Sequence, residues 1–465
     1  MLDPSVVRGL TDAVGAAHVR TDPETLTRCA ADALGIARVP DIVVVPGTTA
    51  EVAAVVRVCD AAGVAMVVRG AGTGYTGGAV PVAGGVVILM ERFTRILEID
   101  PLNLVAVVEP QVITGDLQRA VEALGLFYPP DPASLDRSSI GGNVAECAGG
   151  PRAFKYGTTK RYVLGLEAVL PTGEVIRTGS KAVKNVVGYD LTQLLVGSEG
   201  TLAILTQVTL RLVPKPPERA VLVASFAGAR EAVAAVTALI GLRVVPAAIE
   251  LVDDASLAAL RAYRPSDLVP PDAGALLIVG VDGTAASVEA EARHVESACR
   301  GEGANGVARA VTEAEADGIW ALRRELSDAL RATGLTKINH DVVVPRGRVP
   351  ELLDTVARLR EELALAIACF GHAGDGNIHV NVMVPEGDVP ARARAAQAEQ
   401  RLFERVIELE GSISGEHGIG FTKAGYLPLE LGEVQIALMR RVKAAFDPKG
   451  LLNPGKIFPE SHIAH

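Results

Sequence analysis

The sequence predicts an α+β protein with more than one domain. Its 465 residues exceed what one ordinary hydrophobic core serves, and a norm of about 150 residues per domain predicts two or three units. Strand-like and helix-like segments alternate, beginning with a strand at 42–45, a helix at 49–62 and a strand at 65–69. The cluster Pro214-Lys215-Pro216-Pro217 interrupts this alternation, because proline cannot donate to a sheet ladder. We therefore place a domain boundary near residue 215.

Composition and charge exclude several classes of protein. Hydrophobic residues make up 49% of the chain and charged residues 22%, which is typical of globular domains. The net charge of −10 disfavours a nucleic-acid partner, since phosphate binding needs clustered Lys and Arg. Apolar runs such as 86–90 and 363–370 are far shorter than the roughly 18 to 20 residues of a membrane span. The sequence therefore predicts a globular protein that neither binds nucleic acid nor crosses a membrane.

The N-terminus and the cysteines indicate the compartment. Met1-Leu2-Asp3-Pro4 lacks the basic and apolar regions of an export signal. The five cysteines are odd in number, scattered and without a C-x-x-C pair, which disfavours a disulfide framework, a zinc ribbon and a ferredoxin-type cluster. We therefore expect a cytoplasmic protein without an iron–sulfur cluster of its own.

The pattern of elements divides the chain into four segments. Residues 1–38 are predicted to be helical, and residues 39–215 form a first domain that includes a long loop at 128–156. Residues 216–430 alternate strands with amphipathic Ala-rich helices, which predicts an antiparallel sheet with helices on one face. Residues 431–465 supply a last helix and a tail.

A glycine-rich stretch, 69–78, follows a predicted strand. Its segment Gly72–Gly77 matches G-x-G-x-x-G, but a Rossmann site needs a helix directly afterwards. The residues that follow are rich in glycine and include Pro81, so we expect no helix there. What remains is a run of backbone N–H groups suited to a pyrophosphate; a glycine-rich turn without a ligand is the alternative.

Two further loops favour an extended cofactor. The second loop, counting the glycine-rich stretch as the first, runs through Pro130–Ser134 and Ser138–Gly150. The third is Leu195–Ile204. Both combine hydroxyl side chains with glycines that leave the backbone unhindered. Three such loops within one domain are hard to explain as turns alone.

Histidines and a carboxylate concentrate in two glycine-framed stretches, Phe370–Asn381 and Ser412–Gly420. The first predicts a hairpin that brings two imidazoles side by side, and the second adds a carboxylate and a third imidazole. Two imidazoles and one carboxylate leave open positions on Zn²⁺, Mn²⁺ or Fe²⁺, as a catalytic site requires. A single histidine in a strand is usually core or surface, but three of eight in two short stretches favour a metal. Non-heme oxygenase chemistry also fits such a triad, but leaves the glycine-rich loops unexplained.

The loops resemble the flavin domain of FAD-linked oxidases of the vanillyl-alcohol oxidase/p-cresol methylhydroxylase (PCMH) type. The shared motifs, in order, are R-G-x-G-T-G-x-[ST]-G-G, P-D-P-x-S, [ST]-I-G-G-N and V-G-S-E-G-T-L. The resemblance implies two α/β subdomains that hold the ADP part of FAD, and a separate cap domain. Members with covalent flavin commonly carry His at the end of the first loop, where this chain has Gly74-Tyr75, so we expect non-covalent FAD.

By this resemblance, the flavin ligands are expected among loop residues of the first domain and one residue of the tail. They are Arg69, Gly70, Ala71, Gly72, Thr73, Gly74, Thr76, Gly77, Gly78, Pro132, Ser134, Ser139, Gly141, Gly142, Asn143, Ala145, Gly149, Gly200, Ile204 and Asn453.

The histidine stretches and the tail at 446–456 resemble the metal-dependent branch of the family: D-lactate dehydrogenase, the flavin subunit of glycolate oxidase, and D-2-hydroxyglutarate dehydrogenase. The resemblance implies that 39–215 binds FAD, 216–430 is the substrate cap and 431–465 returns to the flavin domain. It assigns the metal ligands and the catalytic groups. The ligands are His372, His379 and Glu416, with Zn²⁺ expected first and Mn²⁺ or Fe²⁺ as alternatives. The base is His417, Arg323 binds the substrate carboxylate with Lys337 as a second cation, and Asn381 orients the substrate or a ligand.

The implied reaction is oxidation of a D-2-hydroxy acid by hydride transfer to flavin N5. D-lactate is the first expected substrate, because the stretch 184–190 looks closest to the lactate and glycolate members; glycolate and D-2-hydroxyglutarate follow. A metal-free flavin oxidase of sugars or phenols, and a non-catalytic flavin-binding subunit, are the competing hypotheses.

The electron acceptor must lie outside this chain. Without cysteine clusters here, it is expected to be a quinone, a cytochrome, an electron-transfer flavoprotein or an iron–sulfur subunit. Such a partner would also hold the protein at the inner membrane. A homodimer is another expected assembly.

Overall fold

The computed structural model describes residues 2–266 and 268–459. This described part of the chain divides into two compact units. The first unit comprises the described residues of Met1–Gly149, Thr158–Lys215 and Glu416–His465. The second unit comprises those of Gly150–Gly157 and Pro216–Gly415.

The α-helices are α1 Pro4–Val14, α2 Pro23–Arg28, α3 Thr49–Ala62, α4 Thr114–Glu122, α5 Ile140–Glu146, α6 Ala153–Tyr156, α7 Leu191–Leu195, α8 Ala229–Gly241, α9 Asp254–Tyr263, α10 Ala285–Gly301, α11 Glu313–Arg331, α12 Val349–Glu362, α13 Val389–Glu408, α14 Leu427–Glu430 and α15 Glu433–Phe446. Short 3₁₀ helices lie at Ala16–His18, Thr159–Arg161, Arg346–Arg348 and Ala424–Tyr426. In the part of the chain described here, no helix is both long and apolar enough to cross a bilayer.

The strands are β1 Val19–Arg20, β2 Ile42–Val44, β3 Met66–Arg69, β4 Val86–Leu89, β5 Ile96–Asp100, β6 Val105–Val108, β7 Leu126–Phe127, β8 Val163–Val169, β9 Val175–Gly179, β10 Ile204–Arg211, β11 Val213–Pro214, β12 Glu218–Phe226, β13 Ala248–Val252, β14 Ala275–Gly283, β15 Gly306–Arg309, β16 Thr336–Val343, β17 Ala366–His372 and β18 Asn377–Val384.

The first unit contains two main sheets. One has the order β1-β2-β4-β3, in which β4 pairs in parallel with β2 and β3, and the other has the antiparallel order β5-β6-β10-β8-β9. Parallel strands need crossover connections, and α3 supplies the one between β2 and β3. The apolar faces of α1 and α3 pack on the parallel strands around Val44, Val56 and Ile88.

The N-terminal segment, predicted to be helical, is only partly so. Asp22 caps α2 by accepting a hydrogen bond from the Thr25 N–H at 2.8 Å, as expected for an acidic residue before Pro. Between α1 and α2, however, β1 pairs with β2, with Val19 opposite Val44. Pairing with β2, which lies further along the chain, therefore determines the conformation of Val19 and Arg20.

The long loop predicted at 128–156 is wrong in part, because α5 and α6 lie inside it. The side chain of Ser139 accepts from the Gly142 N–H and begins α5, and the Asn143 amide donates to Thr114 Oγ1 at 2.7 Å. These contacts offset the low helix propensity of the Gly pair at its start.

The second unit is built on one sheet with the order β15-β12-β14-β13-β17-β18-β16, in which every pairing is antiparallel. Helices α9 and α11 pack on one face through Leu257, Leu322 and Phe370. Because β13 and β18 are buried along their whole length, both faces are covered. The expectation of helices on one face only is therefore wrong.

Candidate flavin and metal sites

The glycine-rich loop joins β3 to β4, and its described residues contain no helix, as the sequence predicted. Gly72 and Gly77 have φ of +69° and +79°, which other residues adopt only with strain. A Cβ on Gly70 would lie 2.7 Å from Ser139 Oγ. The first and second predicted flavin loops therefore pack against each other.

Two residues from opposite ends of the chain fix this loop. Asp32 accepts a hydrogen bond from the Gly77 N–H at 2.7 Å, and burial raises the pKa of its carboxyl group. Asn453 donates to the carbonyl oxygens of Gly78 and Glu199 at 3.0 and 2.9 Å. The closing segment thus joins the first predicted loop to the third.

The second predicted loop supplies backbone rather than reactive side chains. Pro132 and Ser134 lie in the turn before α5, and their carbonyl oxygens accept from the backbone N–H groups that follow. Gly141 allows α5 to approach Pro110, since a Cβ on Gly141 would lie 2.5 Å from the Pro110 Cβ. The Ala145 carbonyl accepts from the Glu199 N–H at 2.8 Å. The first unit therefore brings all three predicted flavin loops together.

The segment that carries Glu416 and His417 lies against the same loops. The His417 ring stacks on Tyr75 with centroids 5.2 Å apart, and Thr76 Oγ1 donates to the His417 carbonyl at 3.2 Å. A Cβ on Gly149 would lie 2.7 Å from Glu416 Oε2. The expected base is thus held beside residues of the expected flavin site within the first unit.

Two buried carboxyl groups that were not predicted from the sequence lie next to this segment. Glu199 accepts from the N–H groups of Ile419 and Gly420 at 2.8 and 2.6 Å. Burial raises the pKa of Glu199, and burial together with the nearby Glu199 charge raises that of Glu146 well above its ordinary value. Burial also lowers the pKa of neighbouring Lys456 to about 8. Glu199 therefore fixes the turn after His417.

The predicted histidine hairpin is confirmed in the second unit. His372 ends β17 opposite Asn377, and His379 lies two residues further along β18, opposite Phe370. Opposed residues of antiparallel strands share a face, so both imidazoles lie on one side of the sheet. Their ring centroids are 5.4 Å apart at an interplanar angle of 85°, and both rings are buried.

A buried carboxylate lies beside each imidazole. Glu250 Oε1 is 2.6 Å from His372 Nδ1, and Asp341 Oδ1 is 3.6 Å from His379 Nδ1. Asn377 Nδ2 donates to Asp341 at 2.6 Å. Both carboxylates have no exposed surface, and neither was predicted as a site residue from the sequence.

The predicted substrate cation Arg323 is buried on α11 and ion-paired. Its Nε is 2.5 Å from Glu250 Oε2, and its guanidinium group lies 4.9 Å from the centre of the Phe370 ring. Burial tends to raise the pKa of Glu250, but the charge of Arg323 and the hydrogen bonds from His372 and Arg323 outweigh it and hold that pKa below its ordinary value. Glu250 is therefore an anion shared between two cationic or hydrogen-bonding partners.

Lys337 and Asn381 lie on the same face of the sheet. Lys337 Nζ donates to Ser327 Oγ at 2.6 Å, and burial lowers the Lys337 pKa to about 7. Asn381 has no exposed surface; its amide donates to two backbone carbonyls and accepts from Asn339 Nδ2 at 2.8 Å. Strand β16 begins at Thr336, which places Lys337 within the sheet.

Comparison with known proteins identifies the family. Residues 215–457 match the C-terminal domain of FAD-linked oxidases, and residues 40–179 match an FAD-binding domain. The chain belongs to the FAD-linked oxidase family. This confirms the family suggested by the glycine-rich loops and the histidine stretches.

Several curated relatives cover nearly all of this FAD-linked oxidase. The glycolate oxidase subunit GlcD of Bacillus subtilis (strain 168) is 42% identical over 90% of the chain and 89% of its own length. D-lactate dehydrogenase of Anaerostipes hadrus is 36% identical over 90% and 89%, and D-2-hydroxyglutarate dehydrogenase of Stutzerimonas stutzeri (strain A1501) is 32% identical over 98% and 100%. The chain is thus an FAD-linked oxidoreductase of the D-lactate, glycolate and 2-hydroxyglutarate dehydrogenase group.

Solved structures confirm the fold of this FAD-linked oxidase. The 4-ethylphenol oxidase from Gulosibacter chungangensis matches with a TM-score of 0.80 and 21% identity, over 98% of this chain and 97% of that one. p-Cresol methylhydroxylase matches with a TM-score of 0.81 and 19% identity, over 97% and 96%. The predicted PCMH-type fold is therefore confirmed.

Proposed function

We propose that this FAD-linked oxidase oxidises a D-2-hydroxy acid to the 2-oxo acid, with D-lactate as the first expected substrate. The observation that carries the proposal is the pair of buried imidazoles, His372 and His379, each with a buried carboxylate beside it. Sugar or phenol oxidation without a metal gives this pair no role. The names of the relatives keep glycolate and D-2-hydroxyglutarate as alternative substrates.

Non-covalent FAD fits the loops of the first unit. Among the residues described, buried Arg69 Nη1, Gln111 Oε1 and Asn453 Oδ1 have no hydrogen-bond partner. Since buried polar atoms are rarely left unpaired, these atoms support a polar ligand at the loops. Gly74-Tyr75 stands where a covalent attachment would need a histidine. We propose the same flavin ligands as those expected from the sequence.

The proposed metal ligands are His372, His379 and Glu416, with Zn²⁺ first and Mn²⁺ or Fe²⁺ as alternatives. Two imidazoles with ring centroids 5.4 Å apart on one hairpin suit the metal, because imidazole nitrogens are ligands for each of these ions. Glu416 is included as the third ligand because the resemblance to the metal-dependent branch assigns it that role.

The proposed catalytic residues bind the substrate or transfer its proton. When bound, FAD supplies a hydride acceptor, and a divalent metal lowers the pKa of the substrate hydroxyl group. His417 would take the hydroxyl proton at a ring nitrogen, while Tyr75 stacks on the imidazole and Thr76 binds the His417 backbone carbonyl. Arg323 and Lys337 would bind the substrate carboxylate, and Asn381 would orient it.

The proposed electron acceptor is a quinone, a cytochrome, an electron-transfer flavoprotein or an iron–sulfur subunit. The relatives named as a glycolate oxidase subunit support a multi-subunit setting. We propose a cytoplasmic protein that such a partner holds at the inner membrane, with a homodimer as the other assembly.

An anaerobic substrate panel tests the function. The protein with FAD and Zn²⁺ is mixed with D-lactate, L-lactate, glycolate and D-2-hydroxyglutarate, and loss of the oxidised flavin absorbance is followed. D-lactate should reduce the flavin fastest and L-lactate should not reduce it. If none of the acids reduces the flavin, the proposed function is wrong.

A further inference from the structure

Glu250 occupies an unusual place for a carboxylate, at the centre of β13 with no exposed surface. Its neighbours in the sequence, Ile249 and Leu251, point to the opposite face and belong to the core. A buried charge is costly unless it is paired and hydrogen-bonded, so its partners indicate what holds it there.

Two partners from different elements share this carboxylate. β13 pairs with β17 so that Glu250 lies directly opposite His372, and Oε1 is 2.6 Å from His372 Nδ1. Oε2 is 2.5 Å from Arg323 Nε on α11. Because guanidinium groups keep their charge in proteins, Arg323 neutralises Glu250 without requiring a protonated His372.

The hydrogen bond at Nδ1 sets the tautomer of the His372 imidazole. A carboxylate accepts from Nδ1–H, which places the ring lone pair on Nε2 and raises its basicity. An ion pair that served stability alone would need only Arg323, and buried ion pairs often add little net stability. The contact between Glu250 Oε1 and His372 Nδ1 therefore indicates that Glu250 also acts on the imidazole.

We propose that Glu250 is a positioning residue for the metal site, which holds His372 with Nε2 as the metal-binding nitrogen. The same carboxylate ties Arg323 to this imidazole, and thereby sets the proposed substrate cation relative to the metal ligand. This inference rests on the proposed function, since it takes His372 to be a ligand.

The experiment measures Zn²⁺ affinity of the full chain with FAD bound, by titration against a competing chelator. Glu250→Gln keeps the size of the side chain and removes its charge. Loss of a carboxylate behind a metal-binding histidine typically weakens binding about 10- to 100-fold, and we expect this range with unchanged FAD content. Glu250→Asp should recover part of the loss.

Asp253→Asn is the matched control. Asp253 is also buried and paired with an arginine, but it caps α9 by accepting from the Ser256 N–H at 2.9 Å, with Arg360 Nη2 at 3.1 Å. Its substitution should lower stability and leave Zn²⁺ affinity unchanged. The double variant Glu250→Gln/Arg323→Gln removes both charges, so that no unpaired buried charge prevents folding, and it should bind Zn²⁺ as weakly as the single variant.

The outcomes separate the two proposals. If the unaltered protein binds no Zn²⁺, the metal site itself is wrong, and the role of Glu250 with it. If the unaltered protein binds Zn²⁺ and the folded single or double variant binds it equally tightly, only the role of Glu250 is overturned.

Discussion

The two units build their candidate sites by different means. The loops of the first unit are shaped by backbone geometry, as at Gly72 and Gly77 with positive φ and at Gly141 against Pro110. The second unit presents side chains from antiparallel strands, such as His372 and Glu250, which are buried and paired. Backbone sites should therefore be sensitive to an added Cβ, and side-chain sites to the loss of a functional group.

The largest expected effect is on the chemical step, through His417→Ala. Removing a general base typically lowers a rate about 10²- to 10⁴-fold, and we expect this fall in the stopped-flow rate of flavin reduction by D-lactate. FAD content should not change, because the variant keeps the backbone carbonyl of residue 417 that accepts from Thr76 Oγ1. Added imidazole should recover part of the rate. A variant that reduces its flavin at the normal rate would assign the base elsewhere.

The second-largest expected effect is a loss of metal binding at the side-chain site of the second unit. His372→Ala should weaken metal binding by more than the roughly 10- to 100-fold typical of changes behind a ligand, because it removes a ligand itself. FAD content should stay normal, since the flavin loops belong to the first unit. The check is metal analysis after gel filtration, with the exposed His294→Ala on α10 as control. Full metal content in His372→Ala would contradict the assignment.

Backbone shape in the first unit is tested by Gly141→Ala. The new Cβ would lie 2.5 Å from the Pro110 Cβ and 3.0 Å from its carbonyl oxygen, so we expect a loss of about 1–3 kcal/mol in the free energy of unfolding of the apoprotein. Gly74→Ala is the matched control, because no atom lies within 4 Å of its new Cβ. Urea unfolding of both variants gives the comparison, and equal stabilities would refute tight packing at Gly141.

The smallest expected effect is a pH dependence of substrate binding at Lys337. Burial lowers the Lys337 pKa to about 7, so its positive charge is present below that pH and is lost as the pH rises through it. The KM for D-lactate should therefore rise above about pH 7. Lys337→Arg, which keeps its charge, should flatten the profile, and a flat profile in the unaltered protein would remove Lys337 from the substrate site.

The sequence predicted what local patterns determine. The bounds of α3, the absence of a helix after the glycine-rich loop and the histidine hairpin all follow from short-range periodicity and turn residues. Glu250 was not predicted as a site residue because its partners are 73 and 122 residues away, and β13 itself was not predicted. Asp32 was missed for the same reason, since it holds Gly77 from 45 residues away. An acidic residue inside the apolar run Ala-Ile-Glu-Leu-Val was the one local signal for Glu250.

Metal removal and restoration tests the central proposal most directly. The FAD-bound protein is stripped of metal with a chelator, mixed anaerobically with D-lactate, and then supplied with Zn²⁺. We expect the flavin absorbance to persist in the stripped protein and to fall once Zn²⁺ is added. Flavin reduction at the same rate in the stripped and restored protein would contradict a metal-dependent 2-hydroxy acid dehydrogenase.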